Sequence, residues 1–227
     1  MAVTDSTHSR VTPSRTSQEG KSITILNGSS AGDWDTGAVP RTLDDLTWPV
    51  RTERLLIRRV TPDDAPAVWR YRQLEAVYDW ITTAPTDEQA FSEYFVDSHR
   101  QAVTLAVEHD GIVIGDLYLH VEDAWAQTEV KDAARGVQAE IGWAFDPSYG
   151  GRGLATEAVA AMIGICFEGL GLRRLVANCF ADNTPSWRLM ERLGMRRESH
   201  AISESLHRSG RWLDGYGYAL LPDEWRR

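Results

Sequence analysis

A chain of 227 residues with 42% hydrophobic side chains and a formal net charge of −9 is long enough for one ample core and too acidic to favour nucleic acid or an anionic membrane surface. Its two cysteines, Cys166 and Cys179, are too few for a thiolate zinc site, and its six histidines show no metal-ligand spacing, so no metal is expected. No apolar signal core and no bilayer-length apolar run occurs, which makes a cytoplasmic location the expectation.

Residues 1–45 are rich in Ser, Thr, Gly and Asp and read as a flexible extension, with folded order beginning near Leu46–Trp48. Thr52–Val60 reads as a strand. Thr61-Pro62-Asp63-Asp64 starts a helix to about Gln73, with Thr as N-cap and Pro at the first helical position. A second capping box, Thr86-Asp87-Glu88-Gln89, opens a helix to about Arg100. Val103–His109 and Ile112–Val121 form a hairpin about Asp110-Gly111, residues that tolerate the positive φ of a two-residue turn. Glu122–Gly136 reads as a polar loop. Gln138–Phe145 is a strand ending at Asp146-Pro147, followed by the glycine cluster Gly150-Gly151-Arg152-Gly153 and a helix to about Gly169. Arg173–Phe180 is a strand. Asn183–Leu193 is a helix closed by Gly194. Two strands, near Arg196–Leu206 and Arg211–Leu220, finish the chain. The pattern is α/β: a mixed, largely antiparallel sheet flanked by helices, with one parallel strand–helix–strand unit in the middle. Both cysteines fall in apolar runs and read as small core residues.

The unit strand–DPSYGGRGLATEA–helix is the most informative stretch. Gly150, Gly151 and Gly153 let successive amides converge, and the helix adds unpaired N–H groups and the positive end of its dipole, so the turn suits an anion such as a diphosphate. Small Ala155 and Thr156 permit close approach. A glycine cluster before a helix is by itself weak, since an ordinary strand-to-helix turn looks the same. The P-loop pattern and the dinucleotide fingerprint are both absent.

Gly150-Gly151-Arg152-Gly153-Leu154-Ala155 resembles the acyl-CoA loop of GNAT-superfamily N-acetyltransferases, Q/R-x-x-G-x-G/A, departing only at its first position. RTERLLIRRVTPDDA, AEIGWAFDPSYGGRGLATEA, ADNTPSWRLMERLGM and GRWLDGYGYALLPDEW, in that order, resemble the RimJ/RimL subgroup, which acetylates ribosomal-protein N-termini. The likeness spans about Leu46 to Trp225 and sets a domain boundary at 46–227. It implies acetyl-CoA as co-substrate, a primary amine of a protein N-terminus or small molecule as acceptor, and a fold whose fourth and fifth strands splay apart. The splayed strands would be Gln138–Phe145 and Arg173–Phe180. Backbone groups at Trp143 and Phe145 would pair with the pantetheine arm, with Gly150, Gly151, Arg152, Gly153, Ala155 and Thr156 at the diphosphate. Asn183 and Ser186 occupy the N-x-x-S positions. Asn183 is expected on the cofactor arm or as an N-cap. Ser186 is expected near the leaving thiolate, or as a first-turn residue without a role.

A free α-amine has a pKa of about 8 and lysine about 10.4, so the acceptor must lose a proton to attack. Glu140 is the candidate base: alternation in QAEIGWAF puts Gln138, Glu140, Gly142 and Ala144 on the face without the large apolar side chains. An exposed sheet carboxylate is the plainer reading. Tyr149 and Arg152 are candidates at the CoA site. Tyr78, Trp80 and Trp125, with Asp79, Glu122 and Asp123, are candidates for the acceptor cleft. Asp214 matches a subgroup position without a derivable role. Neither cysteine has a histidine near it in sequence, so direct attack in a ternary complex is expected rather than an acyl-enzyme. A non-catalytic acyl-CoA-binding module and an enzyme using a longer acyl chain remain open, as does a homodimer through the last strands.

Overall fold

The computed structural model of the chain describes residues 42–225, so most of the expected extension lies outside the described residues. Eight strands form one sheet: β1 (Val50–Arg51), β2 (Leu56–Arg59), β3 (Thr104–His109), β4 (Ile112–Glu122), β5 (Gln138–Phe145), β6 (Arg174–Phe180), β7 (Arg196–Leu206) and β8 (Trp212–Leu220). Their spatial order is β1-β2-β3-β4-β5-β6-β8-β7, and every pairing is antiparallel except β5 with β6. The helices are α1 (Ala65–Arg72), α2 (Glu75–Tyr78), α3 (Glu88–Phe95), α4 (Ser98–Ala102), α5 (Leu154–Gly164), α6 (Thr184–Arg192) and α7 (Pro222–Trp225).

The sheet separates two apolar layers. On one face Leu105, Ile114, Leu117, Leu119, Ala139 and Ile141 pack with the buried stripe of α5, including Ala158 and Met162. On the other face Ala106, Val113 and Ala144 pack with Val68 and Tyr71 of α1 and Phe91 and Phe95 of α3. The period-2 alternation of β4 and β5 divides their side chains between these layers.

Local chemistry sets most boundaries. Asp110 and Gly111 take φ values of 52° and 78°, the pair a tight hairpin requires. Asp64 accepts from the Thr61 amide at 2.7 Å, closing the box that starts the Pro62–Asp64 turn and α1. The second cap is Asp87 rather than Thr86: its carboxylate accepts from the Ala90 amide at 2.9 Å. The helix expected to reach Arg100 is two helices, because the Asp97 side chain accepts from the amides of His99 and Arg100 and starts α4 afresh. Glu122–Gly136 carries a 3-10 stretch over Thr128–Ala134. Order begins ahead of Leu46: Leu43 is buried, and the Trp48 indole N–H donates to its carbonyl at 2.8 Å.

Candidate active site

The parallel pair of β5 and β6 is short. Only Gln138, Ala139 and Glu140 pair with Arg174, Leu175 and Val176, after which β5 runs on to Phe145 and β6 to Phe180 without pairing. A cleft of about 520 Å³ opens between the diverging halves. The direction of the β5 backbone there follows from one bond. Asp146 N–H donates to Ile114 O on β4 at 2.8 Å. In an antiparallel pair successive residues alternate between facing the partner and facing away. Gly142 and Ala144 therefore face β4, and Trp143 and Phe145, beyond the last parallel rung, present N–H and C=O to the open edge. Phe145 lies flat across Gly115, where an added Cβ would stand 2.3 Å from its ring.

At one end of the cleft lies the glycine turn. Asp146 caps it, accepting from the amide of Ser148 at 2.9 Å and from its hydroxyl at 2.6 Å. Gly151 and Gly153 have φ of 73° and 75°, a region a β-carbon makes costly. Among the described residues no hydrogen bond from the amides of Gly151 to Thr156 is found, the donor array an anion site needs. The turn is clamped from the side. Arg54 donates to the Arg152 carbonyl at 2.8 Å and to Glu157 at 2.7 Å. Burial opposes the charge on Glu157, but the bonds from Thr52 and Arg54 hold its carboxyl below the usual range. Arg152 donates to His109 Nε2 at 2.9 Å and lies 5.6 Å from the Tyr149 ring, so its charge stays beside the turn. Arg192 donates to Thr156 Oγ1 at 3.2 Å. Arg54, Glu157, His109 and Arg192 were not singled out in the sequence, because their partners lie on distant segments.

The expected site residues assemble in part. Glu140, Trp143, Phe145, Ala155, Asn183 and Ser186 line the cleft; Gly150–Gly153 lie beyond Ala155, outside its lining. Glu140 accepts from Asn178 Nδ2 across the splay at 3.3 Å. Asn183 is the N-cap of α6, with a long 3.4 Å contact from the Ser186 amide. Tyr118 and Cys179 are among the lining residues that the sequence reading did not assign to the site. Tyr118 sits opposite Gly142 on β4, and burial first, then the Glu140 charge, raises its phenol. Cys179, expected in the core, is half-buried and lines the cleft. Its thiol is pushed up to about 11 by burial, against a weaker downward pull from a Ser186 hydrogen bond and from Arg197. It is therefore protonated near neutral pH. The fully buried Cys166 is raised further, by burial alone.

The remaining candidates scatter. Trp80 lines the cleft, but Trp125 is 91% exposed and Tyr78 lies under the Arg208 guanidinium. Glu122 accepts from Gln138 Nε2 and Asp123 from the Gly136 amide, each at 2.8 Å, so both brace their loop. Asp214 accepts from the Ser203 amide at 2.9 Å and pairs with His200 at 2.8 Å.

Residues 54–196 match the sequence profile of the Acetyltransferase (GNAT) domain. The chain belongs to the GNAT acetyltransferase family. It is 29% identical over 182 residues to the uncharacterized N-acetyltransferase YnaD of Bacillus subtilis, covering 78% of this chain and 98% of that one. It is 26% identical to YdaF of the same organism, whose name proposes a ribosomal N-acetyltransferase, over 76% of this chain and 94% of YdaF. The solved structure of a GNAT-family acetyltransferase from Bacillus anthracis is 33% identical, with a TM-score of 0.64, 76% of this chain and 98% of that chain covered. YdaF agrees with the resemblance to the RimJ/RimL subgroup. The chain is thus an N-acetyltransferase, and GNAT members take the acetyl group from acetyl-CoA. Among the described residues no group of ligating side chains could hold a metal ion, and no helix is long and apolar enough to cross a membrane.

Proposed function

We propose that this GNAT enzyme acetylates a primary amine by direct attack on acetyl-CoA within a ternary complex. The observation that carries the proposal is the open β5 edge: Trp143 and Phe145 face a cleft that begins beside the uncommitted amides of the glycine turn and reaches Glu140. The residues fit the co-substrate at both ends. Amides from Gly151, Arg152, Gly153, Ala155 and Thr156, with the Arg152 and Arg192 charges, suit a diphosphate, while the Gly150 amide, expected among them, is already bonded to the Pro147 carbonyl at 2.9 Å and shapes the turn instead; an extended arm suits the unpaired edge at Trp143 and Phe145. Asn183, at the cleft wall, is placed to bond that arm.

In the transfer the amine nitrogen forms a bond to the acetyl carbon and the carbon–sulfur bond breaks. Glu140 takes the proton lost by the ammonium, directly or through water, and returns it to solvent. An edge amide of β5 donates to the acetyl oxygen as it gains charge, a contact worth roughly 3 kcal/mol of barrier. Ser186, which lines the cleft, hands a proton to the departing sulfur and recovers one through water as the new amide nitrogen sheds its second proton; the Tyr118 phenol, raised and so protonated, is a second donor in the same cleft. Cys179 is no acyl carrier, since burial keeps its thiol protonated. The acceptor is either a protein N-terminus, as the name of YdaF suggests, or a small amine.

The test is thiol release from acetyl-CoA with the full chain and a panel of N-terminal peptides and small amines. Turnover with at least one amine, lost in E140Q, is the expected outcome. Stabilisation by CoA without turnover of any amine would replace catalysis with a binding role. Equal use of longer acyl donors would widen the donor but keep the mechanism.

A further inference from the structure

The β7–β8 hairpin contains an irregularity with a purpose. Its register slips between Ala201 and Ser205, and within the slip Ser203 takes φ 47°, held by the bond from its amide to Asp214. Bulges of this kind re-aim a side chain. Here the re-aimed side chain is Glu204: its Oε2 stands 2.9 Å from where a Cβ on Gly215 would be. Gly215 and Gly217 share one face of β8, so they form a bare floor, and Ser199 leans over Gly217 as Glu204 leans over Gly215.

That floor belongs to a second cavity of about 440 Å³, which shares Trp80, Thr82, Asn178 and Cys179 with the main cleft. It therefore begins beside Glu140, to which Asn178 is bonded. Its lining holds the rings of Trp80 and Phe180, 6.3 Å apart, the hydroxyls of Thr82, Ser199 and Ser205, one carboxylate and no cationic side chain. Glu204 is exposed and has no hydrogen-bond or ion-pair partner among the described residues, whereas arginines pair with Glu191, Glu198 and Glu224 nearby. The hairpin tip is anchored. His207 bonds the Asp79 carbonyl at 2.9 Å and Arg208 that of Ile81 at 2.6 Å, tying the hairpin tip to the segment that carries Trp80. Aromatic faces with a lone carboxylate recognise an organic cation, and a cavity of this size matches a small aliphatic one.

We infer that Glu204 and Trp80 select an acceptor bearing a second cation, a short aliphatic diamine whose reacting nitrogen lies at Glu140 while its other ammonium lies at Glu204. This rests on the acyl-transfer reading above and narrows its acceptor. The methylenes would run along Trp80 and Phe180.

The experiment compares 1,4-diaminobutane, n-butylamine and an N-terminal peptide with a neutral second residue, by thiol release and by equilibrium binding to the CoA-loaded full chain. The diamine should exceed butylamine in kcat/KM by about tenfold or more. E204Q should bring that ratio near one through KM rather than kcat, and G215A, whose methyl displaces the carboxylate, should do the same. Equal use of the two amines, an unchanged ratio in E204Q, or a peptide preferred over the diamine overturns the inference while leaving acyl transfer standing. Diamine binding that depends on Glu204 without turnover of any amine would uphold the cation site and overturn the catalytic reading instead.

Discussion

Two glycines on neighbouring strands should respond to the same mutation with opposite sign. Gly115 on β4 and Gly142 on β5 both lie beside the cleft, and each can be changed to alanine. At Gly142 the nearest atom to an added Cβ is Tyr118 Cβ at 3.6 Å, an ordinary contact. Glycine within a strand is disfavoured relative to alanine by roughly 0.5–1 kcal/mol, so G142A should stabilise by that order. At Gly115 the new Cβ would stand 2.3 and 2.6 Å from the Phe145 ring and 2.9 Å from the Ala144 carbonyl oxygen. The ring is packed against the core, and the carbonyl belongs to the backbone, so neither yields freely. Overpacking typically costs about 1–3 kcal/mol, which outweighs the propensity gain. Moving Phe145 also disturbs the edge proposed to hold the pantetheine arm, so G115A should raise KM for acetyl-CoA. Urea unfolding followed by circular dichroism reads the first effect, and steady-state kinetics the second. G115A at or above wild-type stability, or equal shifts for both variants, would refute this account of how Phe145 sits on β4.

The remaining expectations test the site and its supports. E140Q should lower kcat/KM by about 10²–10⁴-fold, the range for a positioned base, with acetyl-CoA affinity retained in calorimetry. G151A, with open space around its Cβ but φ 73°, should cost about 1–2 kcal/mol in folding or shift the loop and weaken CoA binding, both readable by thermal melts with and without CoA. Arg174, then Arg196, holds the Glu198 carboxyl down to about 2 against 4.5 for the free group. A folded-state pKa below the unfolded one means stability present above about 4.5 and lost as pH falls toward 2, so E198Q should flatten the acid limb of the stability curve over that window. Cys179 should alkylate slowly at pH 7.5 and faster as pH approaches about 11, and Cys166 should react only on unfolding.

What the sequence revealed was what local chemistry determines. Gln138–Phe145 is a strand to the residue, and Asn183 and Gly194 bound α6 as capping rules require, Gly194 with φ 81°. Alternation put Glu140 on the face of β5 away from the large apolar side chains, although residues of both faces reach the cleft. The errors arise where two local signals compete or where a partner is remote. Thr86 and Asp87 both fit an N-cap, and the shorter carboxylate reach of Asp87 to Ala90 wins. α2 has one helical turn, too short for periodicity to show. Cys179 sits in an apolar run, yet the splay leaves its side wet. Nothing near Asp214 in sequence announces Ser203, since antiparallel pairing with a bulge brings them together.

The splay itself carries a thermodynamic consequence. An interrupted ladder in mid-sheet leaves peptide groups of Trp143 and Phe145 facing a cleft whose walls include Leu189 and Met190, both buried. Main-chain polar groups in such surroundings are satisfied by water or by a ligand. A pantetheine arm carries two amides that can pair with such an edge, so binding should extend the ladder as well as fill the cleft. The linkage relation then predicts about 2.7 kcal/mol of added stability at a hundred times Kd. Hydrogen exchange should also slow at Trp143 and Phe145 when CoA binds. The amides of Gly142 and Ala144, already paired with β4, should change less. A CoA-induced protection that is uniform along β5, or absent from Trp143 and Phe145, would show that the arm does not lie along this edge, and the roles assigned to these two residues would fall with it.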